Sequence, residues 1–386
     1  MGFGIYIHIP YCIKKCPYCD FNSYGVGRLI PEVEYTEALL TEIDIYSDAI
    51  ARYPITSIFI GGGTPSLFSS ESIGRIINKI LGISSSLESL EVSIEVNPKT
   101  ADFDKLVSFK QAGVNRVSLG VQSFSDKKLK FLRRINSPGD GMRILEDVKK
   151  AGFENFSADL MYGCPFETPE EWRSELHTVL EFNTAHVSAY CLTIEDDTEF
   201  AGLQSTGKLM LPDEQTLCDM ISLTGDLLAG AGYIQYEISN FAKPGFECRH
   251  NLLYWRGENY IGIGAGAHSH LDACLESEWG VRWANVKEPS AYMKTVLELS
   301  KPVAFIEHLD RKSALKDRVL MGLRLGEGID VEKIENRFSV KLMSGQLDCL
   351  IGDEFIEISD NMLRFNKKGL LVSNSIICKI LESVAC

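Results

Sequence analysis

Three cysteines, Cys12, Cys16 and Cys19, fall within eight residues of YIHIPYCIKKCPYCDFNSY (6–24), and Phe21 stands where a fourth thiol could sit. Among 11 cysteines in 386 residues the spacing C-x3-C-x2-C arises by chance in roughly one chain in a hundred, so a ligand set is favoured over unrelated buried thiols. Structural zinc wants four closed ligands, and no second cysteine pair at a zinc-finger spacing follows. An iron–sulfur cluster tolerates three thiolates when one iron takes a ligand from outside the chain. Three cysteines therefore read as a cluster with one open iron. A second stretch, Gly61-Gly62-Gly63-Thr64-Pro65-Ser66, supplies backbone that either approaches a ligand closely or turns through positive φ. No Lys-Ser or Lys-Thr follows it, which argues against a phosphate-binding loop.

Residues of this kind need a frame. Short β-rich runs recur at 4–9, 57–61, 91–96, 116–122, 156–163 and 186–192, separated by helix-period stretches such as ADFDKLVSFKQAG, which closes on Gly113 as a helix C-terminus would. Six strand–helix units in succession predict an α/β fold with a parallel sheet. The pattern fades near residue 230, whereas a closed eight-unit barrel runs to about 250 residues. A partial (β/α)6 barrel is expected over residues 1–230, with an open doubly wound sheet as the alternative. Both place function beyond the C-terminal strand ends. The cysteines follow strand one, GGGTPS follows strand two, Glu95 and Asn97 end strand three, and Gln122 and Asp159 lie at or near the ends of strands four and five. Residues 231–308 form an aromatic and glycine-rich connecting segment. From 309 to 386 a helical run precedes EFIEISDNMLRFNKKG, read as two strands turning at Asp360-Asn361, so a small α+β winged-helix-like domain is expected.

Composition narrows the function classes. The balance of 39 basic and 53 acidic residues gives −14, which disfavours a polyanion-binding surface and hence nucleic acid, even with a winged-helix-like tail. The amino terminus lacks a cationic segment ahead of an apolar run, and no apolar stretch reaches membrane-spanning length. An odd cysteine count without a secretory signal points to reduced thiols and a cytoplasmic location.

C-x3-C-x2-C after a first strand, with Tyr18 ahead of the last cysteine, resembles the radical S-adenosylmethionine superfamily. The resemblance implies a [4Fe–4S] cluster on Cys12, Cys16 and Cys19, with S-adenosylmethionine on the fourth iron. It further implies that Gly62, Gly63 and Thr64 meet the methionine amino group. Within the superfamily, YIHIPYC, GGGTPSL, SIEVNP, VSLGVQSF and DLMYG are similar to the coproporphyrinogen oxidase-like group. On those motifs Tyr6, Glu95, Gln122, Arg134 and Asp159 line the S-adenosylmethionine site, the carboxylates suiting ribose hydroxyls and Arg134 the methionine carboxylate.

Phe21 then sorts the group. Its decarboxylating oxidases typically read C-x-C at the motif's end, whereas Cys19-Asp20-Phe21 resembles the HemW family of heme chaperones, as does His250-Asn251-Leu252-Leu253-Tyr254-Trp255. The resemblance implies heme as cargo, with His250, Tyr254 and Trp255 as heme-contact residues and His268 and His270 as weaker candidates. It also implies transfer to an acceptor protein, through which any membrane contact would run, and leaves a homodimer open. Cys248-Arg249-His250 lacks the C-x-x-C-H pattern of covalent heme attachment. The rival reading is a radical enzyme on a tetrapyrrole or other substrate, either coproporphyrinogen III oxidase-like or a methyltransferase, drawing electrons from a flavodoxin or ferredoxin. Cys164, Phe166 and Glu167, in YGCPFET, and Asn136 depart from the group's usual pattern and are expected near the cofactor rim.

Overall fold

The computed structural model describes residues 2–84, 86–274, 277–342 and 355–384. Six strands, β1 (Phe3–Ile9), β2 (Ile55–Gly62), β3 (Ser86–Val96), β4 (Arg116–Gln122), β5 (Asn155–Tyr162) and β6 (His186–Cys191), pair in sequence order and run parallel. Each match with the β-rich runs of the sequence is within a few residues. Except at Tyr6, β1 is buried throughout, as expected of a strand covered on both faces in a parallel sheet.

Helices close the outer face. Helix α1 spans Glu32–Ile45. Helix α2 (Ser70–Leu81) starts on the side chain of Ser69 and buries Ile73, Ile76, Ile77 and Ile80, one stripe at helical spacing. Helix α3 (Phe103–Gln111) is capped by Asp102, and Gly113 ends it at φ +105°, a conformation that favours glycine. Helices α4 (Pro138–Lys150) and α5 (Pro169–Glu181) both begin with a proline behind a complete capping box.

Residues beyond 230 extend the sheet on both sides. On one edge β7 (Ile234–Gln235) and β8 (Asn240–Ala242) add antiparallel to β6. On the other, β9 (Asn259–Ile263) pairs parallel with β1, followed antiparallel by β10 (His268–Leu271), β11 (Val281–Asn285) and β12 (Val303–His308). The resulting sheet has 12 strands in the order β12-β11-β10-β9-β1-β2-β3-β4-β5-β6-β8-β7. The stretch expected to be a connector thus supplies strands to both edges. Its short polar and glycine-interrupted strands lack the apolar runs that mark β1–β6, so periodicity alone does not reveal them.

The C-terminal unit has its own core, built from Leu315, Val319, Ile334, Phe338, Leu363 and Ile377 among others. After helix α6 (Arg249–Trp255) in the preceding segment, helices α7 (Arg311–Gly322) and α8 (Val331–Phe338) lead to the hairpin Ile356–Ser359 and Met362–Phe365. The hairpin turns at Asp360 and Asn361, at φ +51° and +63°, the two left-handed residues of a type I′ turn. Ile329–Asp330 adds a third strand. The α/β partial barrel with a small α+β C-terminal domain is therefore the observed fold.

Candidate active site at the cysteine loop

The loop after β1 carries the cysteines and is fastened to the loop after β2 by backbone bonds: Gly63 N donates to the Ile9 carbonyl (2.8 Å) and Thr64 N to the Tyr11 carbonyl (2.9 Å). The glycines make this approach feasible. A Cβ on Gly63 would lie 2.8 Å from the Tyr11 carbonyl oxygen, and one on Gly62, itself at φ +114°, would enter the His8 ring. The close approach foreseen for GGGTP is thus first that of the cysteine loop itself.

One cavity of ≈ 600 Å³ gathers all three cysteines with Tyr6, Gly62, Gly63, Thr64, Glu95, Gln122, Arg134 and Asp159, every residue assigned by sequence to the cluster and S-adenosylmethionine. Thr64 Oγ1 donates to Cys12 Sγ (3.5 Å), and Cys19 Sγ lies 3.8 Å from Ser23 Oγ. Burial pushes the thiols of Cys12 and Cys19 up. The Arg134 guanidinium donates to Cys16 Sγ (3.8 Å) and to the Gly120 carbonyl (2.7 Å). Gly120 leaves room for both Arg134 and the amide of Gln122, which sits at a strand irregularity with φ +66°.

Carboxylates face this cationic side across the cavity. Glu95 Oε2 accepts from Gly62 N (3.1 Å), and Asp159 accepts from Ser118 and Ser157 (both 2.7 Å). Burial, then the nearby Asp159, pushes Glu95 up to about 8. A polar donor or cation placed between them would relieve that cost, which suits ribose hydroxyls and an aminoacyl group.

The donor set fits an iron–sulfur cluster. Thiolates are the ligands such clusters take, and the three stand on one loop around one cavity. Structural zinc would call for a fourth closed ligand, whereas a cluster accepts three thiolates and leaves one iron for a ligand from outside the chain.

Asn136, a departure from the group's pattern, is buried and accepts from Arg134 Nε (3.3 Å), so it orients the guanidinium. Cys164, Phe166 and Glu167 do not border the cavity, contrary to expectation. They line a separate outer pocket, where Glu167 and Glu175 hold the buried Lys128 at 2.6 and 3.0 Å. The turn out of β5 begins at Gly163, whose φ of +76° favours glycine.

His250, expected as a heme-contact residue, borders the cysteine cavity. It is 1% exposed, with Nδ1 bonded to Ser57 Oγ and Nε2 to the Tyr254 hydroxyl, both at 2.8 Å, and its ring stacks on Phe59. Burial brings its pKa down to about 3. Both nitrogens are engaged, as in a satisfied core histidine. Tyr254 borders the cysteine cavity together with a larger neighbour of ≈ 990 Å³, and Trp255 borders the larger one. Tyr6, Gly62, Glu95 and Phe21 are shared by the two.

The floor holds residues that the sequence reading did not single out. Arg116 is 2% exposed and its Nε has no hydrogen-bond partner among the described residues. His186 bridges Ser157 Oγ and the Tyr236 hydroxyl, both at 2.9 Å. A charged residue opening an otherwise apolar buried strand was the available signal for Arg116.

A family profile described as the radical SAM superfamily matches residues 6–179, and one for the HemN C-terminal domain matches 309–372. The heme chaperone HemW of Haemophilus influenzae is 35% identical over 388 aligned residues, covering 97% of this chain and 96% of the relative. That of Escherichia coli is 42% identical over 268 residues, 69% of this chain and 70% of the relative. Among solved structures, coproporphyrinogen III oxidase (HemN) from Escherichia coli, described as a radical SAM enzyme, superposes with a TM-score of 0.81 at 24% identity, covering 98% of this chain and 90% of that one. The chain belongs to the HemW family of heme chaperones, within the radical SAM superfamily.

Proposed function

We propose that this protein is a heme chaperone that carries a [4Fe–4S] cluster with S-adenosylmethionine, binds heme and passes it to an acceptor protein. The observation that carries the reading is the pair of adjoining cavities, one ringed by the three thiols and the other, at ≈ 990 Å³, walled by Tyr254, Trp255, Tyr260, Trp279 and Phe338. The larger lies at the upper end of the size range of small-molecule sites, and its aromatic walls suit a flat, apolar macrocycle.

In this account Cys12, Cys16 and Cys19 hold the cluster. Arg134, oriented by Asn136, takes the methionine carboxylate, Gly62, Gly63 and Thr64 face the amino group, and Glu95 and Asp159 meet the ribose. Tyr6 and Gln122 close the same site. When bound, the reduced cluster can supply an electron to the S-adenosylmethionine sulfonium. The chaperone reading needs no such turnover; a flavodoxin- or ferredoxin-type donor enters only if it occurs. Tyr254 and Trp255 serve the heme side, and His250 props Tyr254 from behind. Location in the cytoplasm accords with the reduced thiols and cluster; among the described residues no helix is long and apolar enough to cross a membrane.

The test is an anaerobic titration of the cluster-reconstituted protein with hemin, following the Soret band, with 5′-deoxyadenosine assayed in the same samples. Saturable stoichiometric binding without deoxyadenosine above background supports the chaperone. Weak hemin binding with rapid deoxyadenosine formation overturns it in favour of a radical enzyme.

A further inference from the structure

Of the histidines that border the larger cavity, His268 and His270 have a distinctive placement. They lie two apart on β10, so both project from one face of the strand, and both line the cavity. His268 is exposed and His270 half-buried. Neither ring has a hydrogen-bond partner among the described residues; His270 only tilts against the Tyr260 ring at 6.2 Å. His8, the other histidine bordering this cavity, bridges the Tyr6 hydroxyl (3.0 Å) and the Asn22 carbonyl (2.8 Å), and His250, which borders the cysteine cavity instead, is likewise fully engaged.

Partial burial and nearby cations, Lys287 and Arg282 for His268, keep both imidazoles below their usual pKa and therefore neutral, the form that binds a metal. Other features of the cavity complete a site for a metal-bearing macrocycle. Trp255, Tyr260 and Trp279 supply flat aromatic wall. Lys15 and Lys287 stand on the wall, suited to the ring's carboxylates. The carboxylates also present are largely spoken for: Asp272 is held by Arg318 and Arg337, and Asp317 by Arg282.

We infer that heme sits in this larger cavity with its iron on an imidazole of the His268/His270 pair, and that His250 acts only as a support for Tyr254. The inference rests on the heme-chaperone reading and assigns its ligand.

The experiment compares the unaltered full chain with His268→Ala, His270→Ala, the double variant and His250→Ala, each checked for folding by circular dichroism. Hemin affinity and the Soret and electron paramagnetic resonance signatures are read with and without added imidazole. Metal-free protoporphyrin IX, followed by fluorescence, reports on the cavity alone. Expected are hemin binding weakened tenfold or more in the double variant, loss of the histidine-ligated spectrum, its return on adding imidazole, and protoporphyrin binding within threefold of the parent. His250→Ala, if folded, keeps the parent spectrum. A histidine-ligated spectrum that survives in the double variant, or vanishes only with His250→Ala, overturns the assignment and leaves the chaperone standing. Absence of hemin binding by the unaltered chain overturns both.

Discussion

Arg134 shows how much one side chain carries at this site. Its planar fork reaches the Gly120 carbonyl, Asn136 and Cys16 at once, a geometry a lysine cannot copy. Arg134→Lys is expected to fold and to weaken S-adenosylmethionine binding by tenfold or more, measured by calorimetry on the reconstituted protein; unchanged affinity would remove Arg134 from the site. Its place in the sequence was legible through the spacing of the family's motifs, as were the cysteines, Glu95 and Asp159. His250 shows the opposite case. The motif HNxxYW marks the residue, but only the fold reveals that Ser57, nearly 200 positions earlier, and Tyr254 occupy both nitrogens. Arg116 stayed hidden for a related reason, because the acidic groups near it, Glu91 and Asp159, come together only in the fold.

At the scale of elements, the joints between strands and loops hold the cavity open. Gly62→Ala would force a Cβ into the His8 ring at φ +114°, at a cost of roughly 2 kcal/mol or more. Urea unfolding should show that loss together with a lower cluster yield, and a variant of parental stability would refute the packing argument. A second joint is the turn at 264–267, which leads into β10. Buried Glu42 accepts from Gly264 N (2.8 Å), the Tyr292 hydroxyl (2.6 Å) and Asn285 Nδ2 (2.7 Å). Burial outweighs these bonds and pushes its pKa up to about 7, from an ordinary 4.5. Between those values the folded chain keeps a proton that the unfolded chain has released, so this group's contribution falls as pH rises through the window, by up to about 3 kcal/mol. Glu42→Gln should flatten the stability profile between pH 5 and 8, read by thermal melts; a profile as steep as the parent's would assign the slope elsewhere. Short β-rich runs and the glycine that closes a helix-period stretch made the six barrel strands and helix α3 readable in advance. Neither Glu42 nor the turn it anchors had such a signal, since a glutamate within a helix usually faces solvent.

The whole molecule is a sheet with a small domain folded back on one edge. Asp272, 8% exposed at the end of β10, is the clasp: Arg337 grips it with two nitrogens (2.6 and 2.9 Å) and Arg318 with one (3.2 Å). Asp272→Ala leaves two guanidinium groups facing each other, and breaking such a buried pair costs roughly 3 kcal/mol. Limited proteolysis should then cleave between barrel and C-terminal domain faster than in the parent, and hemin affinity should drop, because α7 and α8 wall the larger cavity. An unaltered cleavage rate would show that apolar contacts alone hold the domain. The hairpin at Asp360-Asn361 was legible from its turn residues, whereas the clasp, joining residues 46 and 65 positions apart, was not.

The pairing of β1 with both β2 and β9 has a consequence for the order of events at birth. Phe3 to Ile7, the rung on which the cysteine loop hangs, has its second neighbour only once Asn259 to Ile263 has been synthesised. Contacts of such long range form late and slowly. A chain still emerging from the ribosome therefore exposes one side of its first strand and leaves the thiols unframed. Iron loading is expected to follow release of the nascent chain.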